Sequence, residues 1–167
     1  CANQDDGHVP TGAFYFPVET GEQTRTFAFL LLPEFTLLAF SSAVEPLRIA
    51  NQLAQKPLYR WVILSEDGFP VRSSSGVEVG VDVPLAELDS DLHLLVCSGN
   101  DGRSAASDKT LSALRIHTRM GGKAGGICTG AVTLARAGLL RDRRFTLHWE
   151  NQPAFEEFFP RLSPSRR

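Results

Sequence analysis

Cys128 and His148 are the two side chains of this sequence whose types and spacing could support covalent chemistry. A thiol beside an imidazole is the minimum for an activated sulfur nucleophile. Residues 123–137 predict a short strand that turns into a helix at Cys128, and Gly126 and Gly130 would let the backbone turn tightly there. The helix N-terminus would favour a thiolate. The alternative is a small buried thiol in an ordinary α/β turn, and both interpretations stay open.

A second group of candidates surrounds this predicted elbow. Residues 98–102 follow an apolar run, and their small side chains would let the backbone N–H groups of Gly99 and Asn100 face a ligand. A plain turn between strand and helix is the alternative. Thr129 adjoins the thiol, and Trp149 adjoins His148, where its ring could form an aromatic wall or pack in the core.

Glu45 and the remaining histidines also have ordinary structural interpretations. Ser42 and Glu45 match a helix capping box, in which the carboxylate satisfies the Ser42 N–H. The sequence also contains His8, His93 and His117, which we assign to surface or core positions. On this basis, His148 is the histidine whose imidazole could act as a base for Cys128.

The elements that must position these residues alternate along the chain. Four apolar runs predict strands buried on both faces, at residues 27–32, 59–65, 92–97 and 124–127. Helical spacing predicts helices at residues 42–53 and 104–118. The predicted fold class is therefore α/β, with a doubly wound, mostly parallel sheet and helices on both faces. In such sheets the carboxyl ends of the strands meet, which would bring the candidate residues together.

Other segments are predicted to be peripheral. Residues 1–26 lack periodicity and are interpreted as a tail or linker, and residues 71–83 as an inserted hairpin. Residues 144–148 predict one more short strand. A helix from about residue 151 is expected to bury three aromatic rings and to end at Pro160, leaving residues 161–167 frayed. These rings belong to Phe155, Phe158 and Phe159.

Composition excludes several function classes. The 167 residues, 43% of them hydrophobic and 22% charged, suit one globular domain, and the net charge of −2 gives no basic excess for gripping nucleic acid. Cys1, Cys97 and Cys128 form no pattern typical of a zinc site or disulfide framework. No metal site is expected. No apolar run approaches the roughly 20 residues needed to span a bilayer, so we expect a cytoplasmic protein with no membrane association.

These motifs resemble a known family. Residues 29–33, 42–51, 97–99, 126–131, 137–140 and 146–149 look like the amidotransferase-like, PfpI-like sensor domain of AraC-family transcriptional regulators. The resemblance covers residues 27–160. The cysteine elbow and the His-Trp segment are shared with the whole superfamily, whereas residues 42–51 are the more specific mark of the regulator branch. Residues 59–61 and 65–68 resemble those of regulators that sense carnitine, glycine betaine or arginine-like compounds.

The resemblance implies a flavodoxin-like effector-binding domain, a homodimer, and no cofactor. It implies a degenerate nucleophile pocket for a small nitrogen-containing metabolite of betaine, carnitine or basic amino-acid type. Its expected lining is Cys128, Thr129, Gly99, Asn100, His148 and Trp149, with Glu45 on a nearby helix. DNA would be bound only through a C-terminal helix-turn-helix domain. That domain and the last strands of the sensor are not found in this sequence, so we expect a cut or truncated sensor.

One departure from the enzymatic relatives decides the predicted activity. Relatives such as isonitrile hydratase carry an acid that poises the cysteine, and the matching position here is Ala39. We therefore expect no catalytic residues, with Cys128 and His148 only a residual pair. The first alternative is a cysteine-dependent enzyme of the PfpI-like superfamily, of the isonitrile hydratase, amidase or deglycase type. The second is a redox sensor in which Cys128 is oxidised.

Overall fold

The computed structural model describes residues 24–165, and its centre is a five-stranded parallel sheet. The expectations for Cys1, His8, residues 1–23 and residues 166–167 lie outside the described residues. Sheet order is β5-β2-β1-β6-β7, and a separate two-stranded antiparallel sheet pairs β3 with β4. The strands are β1 (Arg25–Leu31), β2 (Tyr59–Ser65), β3 (Val71–Arg72), β4 (Glu78–Val79), β5 (Val83–Pro84), β6 (His93–Cys97) and β7 (Lys123–Ile127). The predicted α/β class with a doubly wound parallel sheet is confirmed.

Helices cover both faces of this sheet, as the buried runs predict. The helices are α1 (Leu37–Ala54), α2 (Asp108–Arg119), α3 (Gly130–Arg136) and α4 (Gln152–Phe158), with short 3-10 helices at Leu85–Glu87 and Trp149–Asn151. Alternate residues of β1 enter two different cores. Leu30 packs in the cluster that includes residues of α2, α3 and α4, whereas Phe29 packs with Phe40 of α1 and Trp61.

Helix α1 begins five residues earlier than predicted, at Leu37 rather than at Ser42. The added first turn contains Phe40, whose buried ring packs edge-on against two other rings. Its centroid lies 5.7 Å from that of Phe29 and 5.8 Å from that of Phe35. This packing outweighs the local capping signal. Ser42 therefore lies inside the helix, and the capping-box interpretation of Glu45 is wrong.

The segment at residues 144–148 is not a strand, which corrects a second expectation. Its alternating apolar residues instead pack over the helical face, since Phe145 and Leu147 both contact the core cluster below. The Phe145 ring lies 5.4 Å from the Phe155 ring, and its carbonyl accepts a hydrogen bond from the Ser165 amide. Hydrophobic packing, rather than pairing with the sheet, explains the pattern.

Two smaller differences concern the sheet edges and α4. The hairpin forms only from β3 and β4, while Val83 joins the main sheet beside Leu64. Asp82 stabilises this pairing by accepting a hydrogen bond from the Ile63 amide at 2.8 Å. In α4, Phe155 is buried as expected, but Phe158 is half-exposed, so its predicted burial is wrong.

Candidate functional site

The predicted elbow forms where β7 ends and α3 begins. Cys128 separates them with φ of +56°, a left-handed conformation that costs energy for a side chain other than glycine. A Cβ on Gly126 would lie 2.6 Å from the Ala131 nitrogen, and one on Gly130 would overlap the Val96 carbonyl oxygen. The two glycines therefore allow α3 to pack against the strands at this corner, as the sequence suggests.

The Cys128 thiol is exposed, so the alternative of a small buried thiol does not describe it. Its sulfur lies 3.5 Å from the Thr36 hydroxyl, which belongs to the residue that caps α1. Either atom could donate this hydrogen bond. Ala39, the position that the resemblance matches to the acid expected in enzymatic relatives, lies in the first turn of α1, three residues after Thr36. The structure thus gives the thiol a neutral hydroxyl partner.

The other described cysteine, Cys97, is chemically different. It lies at the end of β6 with 1% of its surface exposed, inside the core shared with Phe29 and Phe35. Burial raises the pKa of the Cys97 thiol to about 12, and the nearby Cys128 contributes in the same direction. Of these two described cysteines, Cys128 is the one that is exposed and lies at the elbow.

His148 is not placed as a base for Cys128. Among residues 24–165, no hydrogen bond or ion pair joins the two side chains. The His148 Nδ1 instead lies 3.6 Å from the Glu150 carboxylate and accepts a hydrogen bond of 3.4 Å from the Glu150 amide. The Trp149 ring lies 5.4 Å from the imidazole and is 71% exposed, so it is not core packing. The two residues form an exposed pair of rings.

The loop after β6 is tied to the loop after β1. Gly99 forms an antiparallel bridge with Phe35, and a Cβ at Gly99 would overlap the Glu34 carbonyl oxygen. The Gly99 carbonyl accepts a hydrogen bond of 2.6 Å from the Thr129 hydroxyl, which is buried. Gly99 and Thr129 therefore hold the elbow against the β1 loop, a role that the sequence did not reveal because it depends on close backbone approach.

Asn100 and Thr129 do share a cleft, with a volume of about 300 Å³. Arg103 also lines it, with its guanidinium carbon 3.8 Å from the centre of the Phe158 ring. Asp101 contributes a carboxylate, which accepts a hydrogen bond from the Ser104 hydroxyl. The remaining lining residues are Gly102, Val132, Asn151, Ala154, Phe155 and Phe159. Sequence reasoning missed Arg103 and Phe158, although Arg103 directly follows the loop that it singled out.

Glu45 lies away from this cleft, on the exposed side of α1. Its carboxylate pairs with Arg48, the Oε2 to Nη2 distance being 2.7 Å. Among the candidates, the structure thus brings Asn100 and Thr129 to one cleft and Gly99 behind them. Cys128 stands at the adjoining elbow, while His148, Trp149 and Glu45 have other surroundings.

A second cleft, of about 590 Å³, lies beside the carboxyl ends of β1 and β2. Glu66 lies on its wall, and its carboxylate accepts hydrogen bonds from the hydroxyls of Ser107 and Thr110 at the start of α2. These two hydroxyls lower the pKa of Glu66 below its usual 4.5. Through these hydrogen bonds, the carboxylate links the loop after β2 to the start of α2.

Within residues 24–165, no group of three or more His, Cys, Asp or Glu side chains is placed to hold a metal ion. None of the helices in this range is both long and apolar enough to cross a bilayer.

The chain is similar in sequence to a protein family and to two curated transcriptional regulators. Residues 28–157 match the model of the DJ-1/PfpI family. Over 140 residues the chain is 47% identical to the HTH-type transcriptional regulator CdhR of Pseudomonas aeruginosa, covering 84% of this chain and 41% of that protein. It is 45% identical over 141 residues to the HTH-type transcriptional regulator GlxA of Rhizobium meliloti, covering 84% and 44%. The chain thus spans less than half the length of these curated relatives.

A solved structure is also similar. The crystal structure of an AraC family transcriptional regulator from Pseudomonas putida superposes with a TM-score of 0.73 at 29% identity. The match covers 86% of this chain and 77% of that one. The resemblance found in the sequence motifs is therefore confirmed by both kinds of comparison.

Proposed function

The chain belongs to the DJ-1/PfpI family, and from this premise we propose that it is the effector-binding domain of an AraC-type transcriptional regulator. The observation that carries the proposal is the identity of 47% and 45% to two HTH-type transcriptional regulators across 84% of this chain. Identity at that level over nearly the whole domain supports a shared role in regulation.

The surroundings of Cys128 support binding rather than catalysis. A cysteine nucleophile that turns over a substrate needs an acid or a base positioned beside its sulfur. In the described residues the hydrogen-bond partner of Cys128 is the Thr36 hydroxyl, which supplies neither. Ala39 cannot supply a carboxylate, and the His148 imidazole lies beside Glu150, with its Nδ1 3.6 Å from the carboxylate, rather than beside Cys128. We infer that the family's nucleophile elbow persists here as architecture for a ligand pocket.

The cleft beside the elbow fits a small zwitterion. Its volume of about 300 Å³ lies at the lower end of the range for small-molecule sites. Arg103 offers a guanidinium for a carboxylate, and Asp101 offers a carboxylate for an ammonium group. Phe155 and Phe158 supply apolar walls. A betaine, a carnitine or a basic amino acid carries both charges, so we propose an effector of this class.

Regulation would require more than this domain. The matched regulators extend well beyond the length that this chain covers, and we propose that DNA is bound by such a further helix-turn-helix part. The effector would act by binding more tightly to one arrangement of the intact protein than to another. A protein with this role would work in the cytoplasm, where its DNA is.

Calorimetric titration of the chain with glycine betaine, carnitine and arginine tests the proposed pocket. We expect saturable binding of one of these compounds to one site, and a large loss of affinity in Arg103→Ala. Arg119→Ala is the matched control, because Arg119 ends α2 and does not line the cleft. Equal affinity in both variants would remove the cleft from the proposal. Absence of binding by the whole panel would contradict the proposed effector class.

A further inference from the structure

Arg103 is a cation of the proposed ligand cleft whose N–H donors are unused within residues 24–165. Its guanidinium makes no hydrogen bond or ion pair in that range, although Asp101 lines the same cleft two positions earlier. By contrast, Arg115 and Arg136 donate hydrogen bonds of 3.1 and 2.8 Å to backbone carbonyls. Because a guanidinium is a donor only, the side chain of Arg103 is available for an acceptor that a ligand brings.

The backbone that carries Arg103 is held on both sides. The loop turns at Asp101, whose carbonyl accepts a hydrogen bond of 2.9 Å from the Ala105 amide. Gly102 is buried, and a Cβ there would lie 2.8 Å from the side chain of Thr129. These contacts fix the start of the Arg103 side chain. What remains to be ordered is the long, flexible side chain itself, which loses conformational entropy when it is held in one position.

The aromatic ring of Phe158 contacts this flexible side chain. The Arg103 guanidinium carbon lies over the ring, 3.8 Å from its centre. A guanidinium in this position is attracted by the face of the ring. The attraction needs no hydrogen-bond acceptor, so the contact orders the cation while its N–H donors stay available. A carboxylate can accept such donors in parallel pairs.

Phe158 is placed by the core rather than by the loop that carries Arg103. It ends α4, whose buried residue Phe155 packs in the core cluster. The Phe155 ring also lies 4.8 Å from the Phe159 ring. The Phe158 ring is 48% exposed, and it lines both the proposed ligand cleft and a neighbouring cleft of about 390 Å³. An anchored backbone and an exposed ring suit Phe158 to support a side chain from another segment.

We propose that Phe158 is a positioning residue for ligand recognition, because its ring orders the Arg103 guanidinium so that the cleft selects ligands that carry a carboxylate. The inference rests on the proposed ligand-binding role of the cleft and adds a specificity-determining residue to it. A ligand that meets an ordered cation loses less affinity to side-chain ordering than one that must order the cation itself. Choline has the trimethylammonium group of glycine betaine and no carboxylate, so it gains less from the ordered guanidinium.

NMR of the free protein tests the ordering of Arg103 without a ligand. Protons over the face of an aromatic ring are shifted upfield. The side-chain resonances of Arg103 should therefore lie upfield in the wild type and move to ordinary positions in Phe158→Leu. Phe158→Tyr keeps the ring and should retain the upfield shift. The control is Phe69→Leu, which removes a 70% exposed ring from the other cleft and should change nothing at Arg103. Identical Arg103 resonances in the wild type and Phe158→Leu would overturn the proposal.

A double-mutant cycle separates positioning from direct contact between the ring and the ligand. Glycine betaine, carnitine and arginine are titrated into the wild type, Phe158→Leu, Arg103→Ala and the double variant, with NMR used for millimolar affinities. Phe158→Leu should weaken binding about fivefold where Arg103 is present, and should have no further effect in the Arg103→Ala background. Phe158→Tyr should restore the wild-type affinity. Choline should bind the wild type more weakly than glycine betaine does, and this difference should shrink in Phe158→Leu.

The results of the cycle distinguish this proposal from the proposed function. An equal loss of affinity in both backgrounds would show that the Phe158 ring only contacts the ligand. That result would overturn the positioning role while leaving the effector cleft intact. A preference for glycine betaine over choline that is unchanged in Phe158→Leu would overturn it in the same way. A wild type that binds none of the carboxylate ligands would instead refute the proposed function, and the positioning role with it.

Discussion

The Thr36 hydroxyl lies 3.5 Å from the Cys128 sulfur and joins the start of α1 to the elbow between β7 and α3. The two residues are 92 positions apart in sequence. Their contact joins the two segments without placing an acid or a base beside the thiol.

Cys128 should be the more reactive of the two described thiols. It is exposed, whereas Cys97 is buried and its pKa is raised to about 12. With iodoacetamide at neutral pH, peptide mass spectrometry should find Cys128 alkylated while Cys97 stays unmodified. Alkylation of Cys97 should become comparable only after the chain is unfolded in guanidinium. Preferential labelling of Cys97 in the native protein would contradict the elbow assignment.

Burial of Cys97 should make the protein less stable at alkaline pH. The folded chain holds the thiol proton up to about pH 12, whereas the unfolded chain releases it near the usual pKa of 9.0. Stability is therefore fully present below pH 9 and is lost as pH rises from there toward 12, by about 1 kcal/mol per pH step. Urea unfolding from pH 8 to 10.5 should show this loss in the wild type.

Two variants isolate the contribution of Cys97 from that of other alkaline groups. Cys97→Ala should be less stable at pH 8 because it leaves a small void, but its stability should fall less steeply with pH. Cys128→Ser should keep most of the wild-type slope, because burial, the larger cause of the raised Cys97 pKa, is unchanged in that variant. Parallel curves for the wild type and Cys97→Ala would show that the buried thiol is not the group responsible.

Gly99→Ala should destabilise the fold by several kcal/mol, about 3 or more. The added Cβ would overlap the Glu34 carbonyl oxygen at the point where the β1 and β6 loops pair, and both backbones would have to shift. Gly80→Ala is the matched control, because a Cβ there meets no atom within 4 Å. Chemical denaturation should separate the two, and similar stability for both variants would mean that the loops are not packed as described.

Much of the fold follows from patterns in the sequence. The strand at residues 59–65 was predicted with its observed bounds, and the other three predicted strands within two residues. Buried parallel strands are nearly continuous apolar runs, as in β1, β2 and β6. The predicted burial of β7 on both faces is wrong, because β7 lies at the edge of the sheet and none of its residues is buried. The elbow was predictable from its glycines and thiol. The start of α1 was not, because Phe40 extends the helix through contacts with Phe29 and Phe35 that are distant in sequence.

The candidate site was predictable only in part, and for a related reason. Asn100 and Thr129 were named as candidates because they follow predicted strands, and both line one cleft. The sequence could not show that Phe145 and Leu147 pack on the core instead of forming a strand. That arrangement sets where His148 and Trp149 point. Nor could it reveal Arg103 over Phe158, since the aromatic spacing in α4 indicates only burial.

Glu66→Gln should weaken the hydrogen bonds that attach the start of α2 to Glu66. It should also remove the loss of stability that protonation of Glu66 causes as the pH falls. The folded carboxylate has a pKa below 4.5 because Ser107 and Thr110 donate to it, so its contribution is present above that pH and is lost as pH falls. We expect a loss of about 1 kcal/mol at pH 7 and a flatter thermal-stability profile between pH 5 and 3. Glu78→Gln, which removes only an exposed contact to Arg72, should behave as the wild type.

A domain that binds an effector without transforming it can be distinguished from an enzyme by NMR. The wild type and Cys128→Ser are incubated with each betaine, carnitine or basic amino acid that binds, and with isonitrile, amide and glyoxal substrates. We expect saturable ligand binding in both proteins, with every compound recovered unchanged. Turnover of any of them by the wild type that disappears in Cys128→Ser would contradict the proposed sensor role and identify a cysteine-dependent enzyme instead.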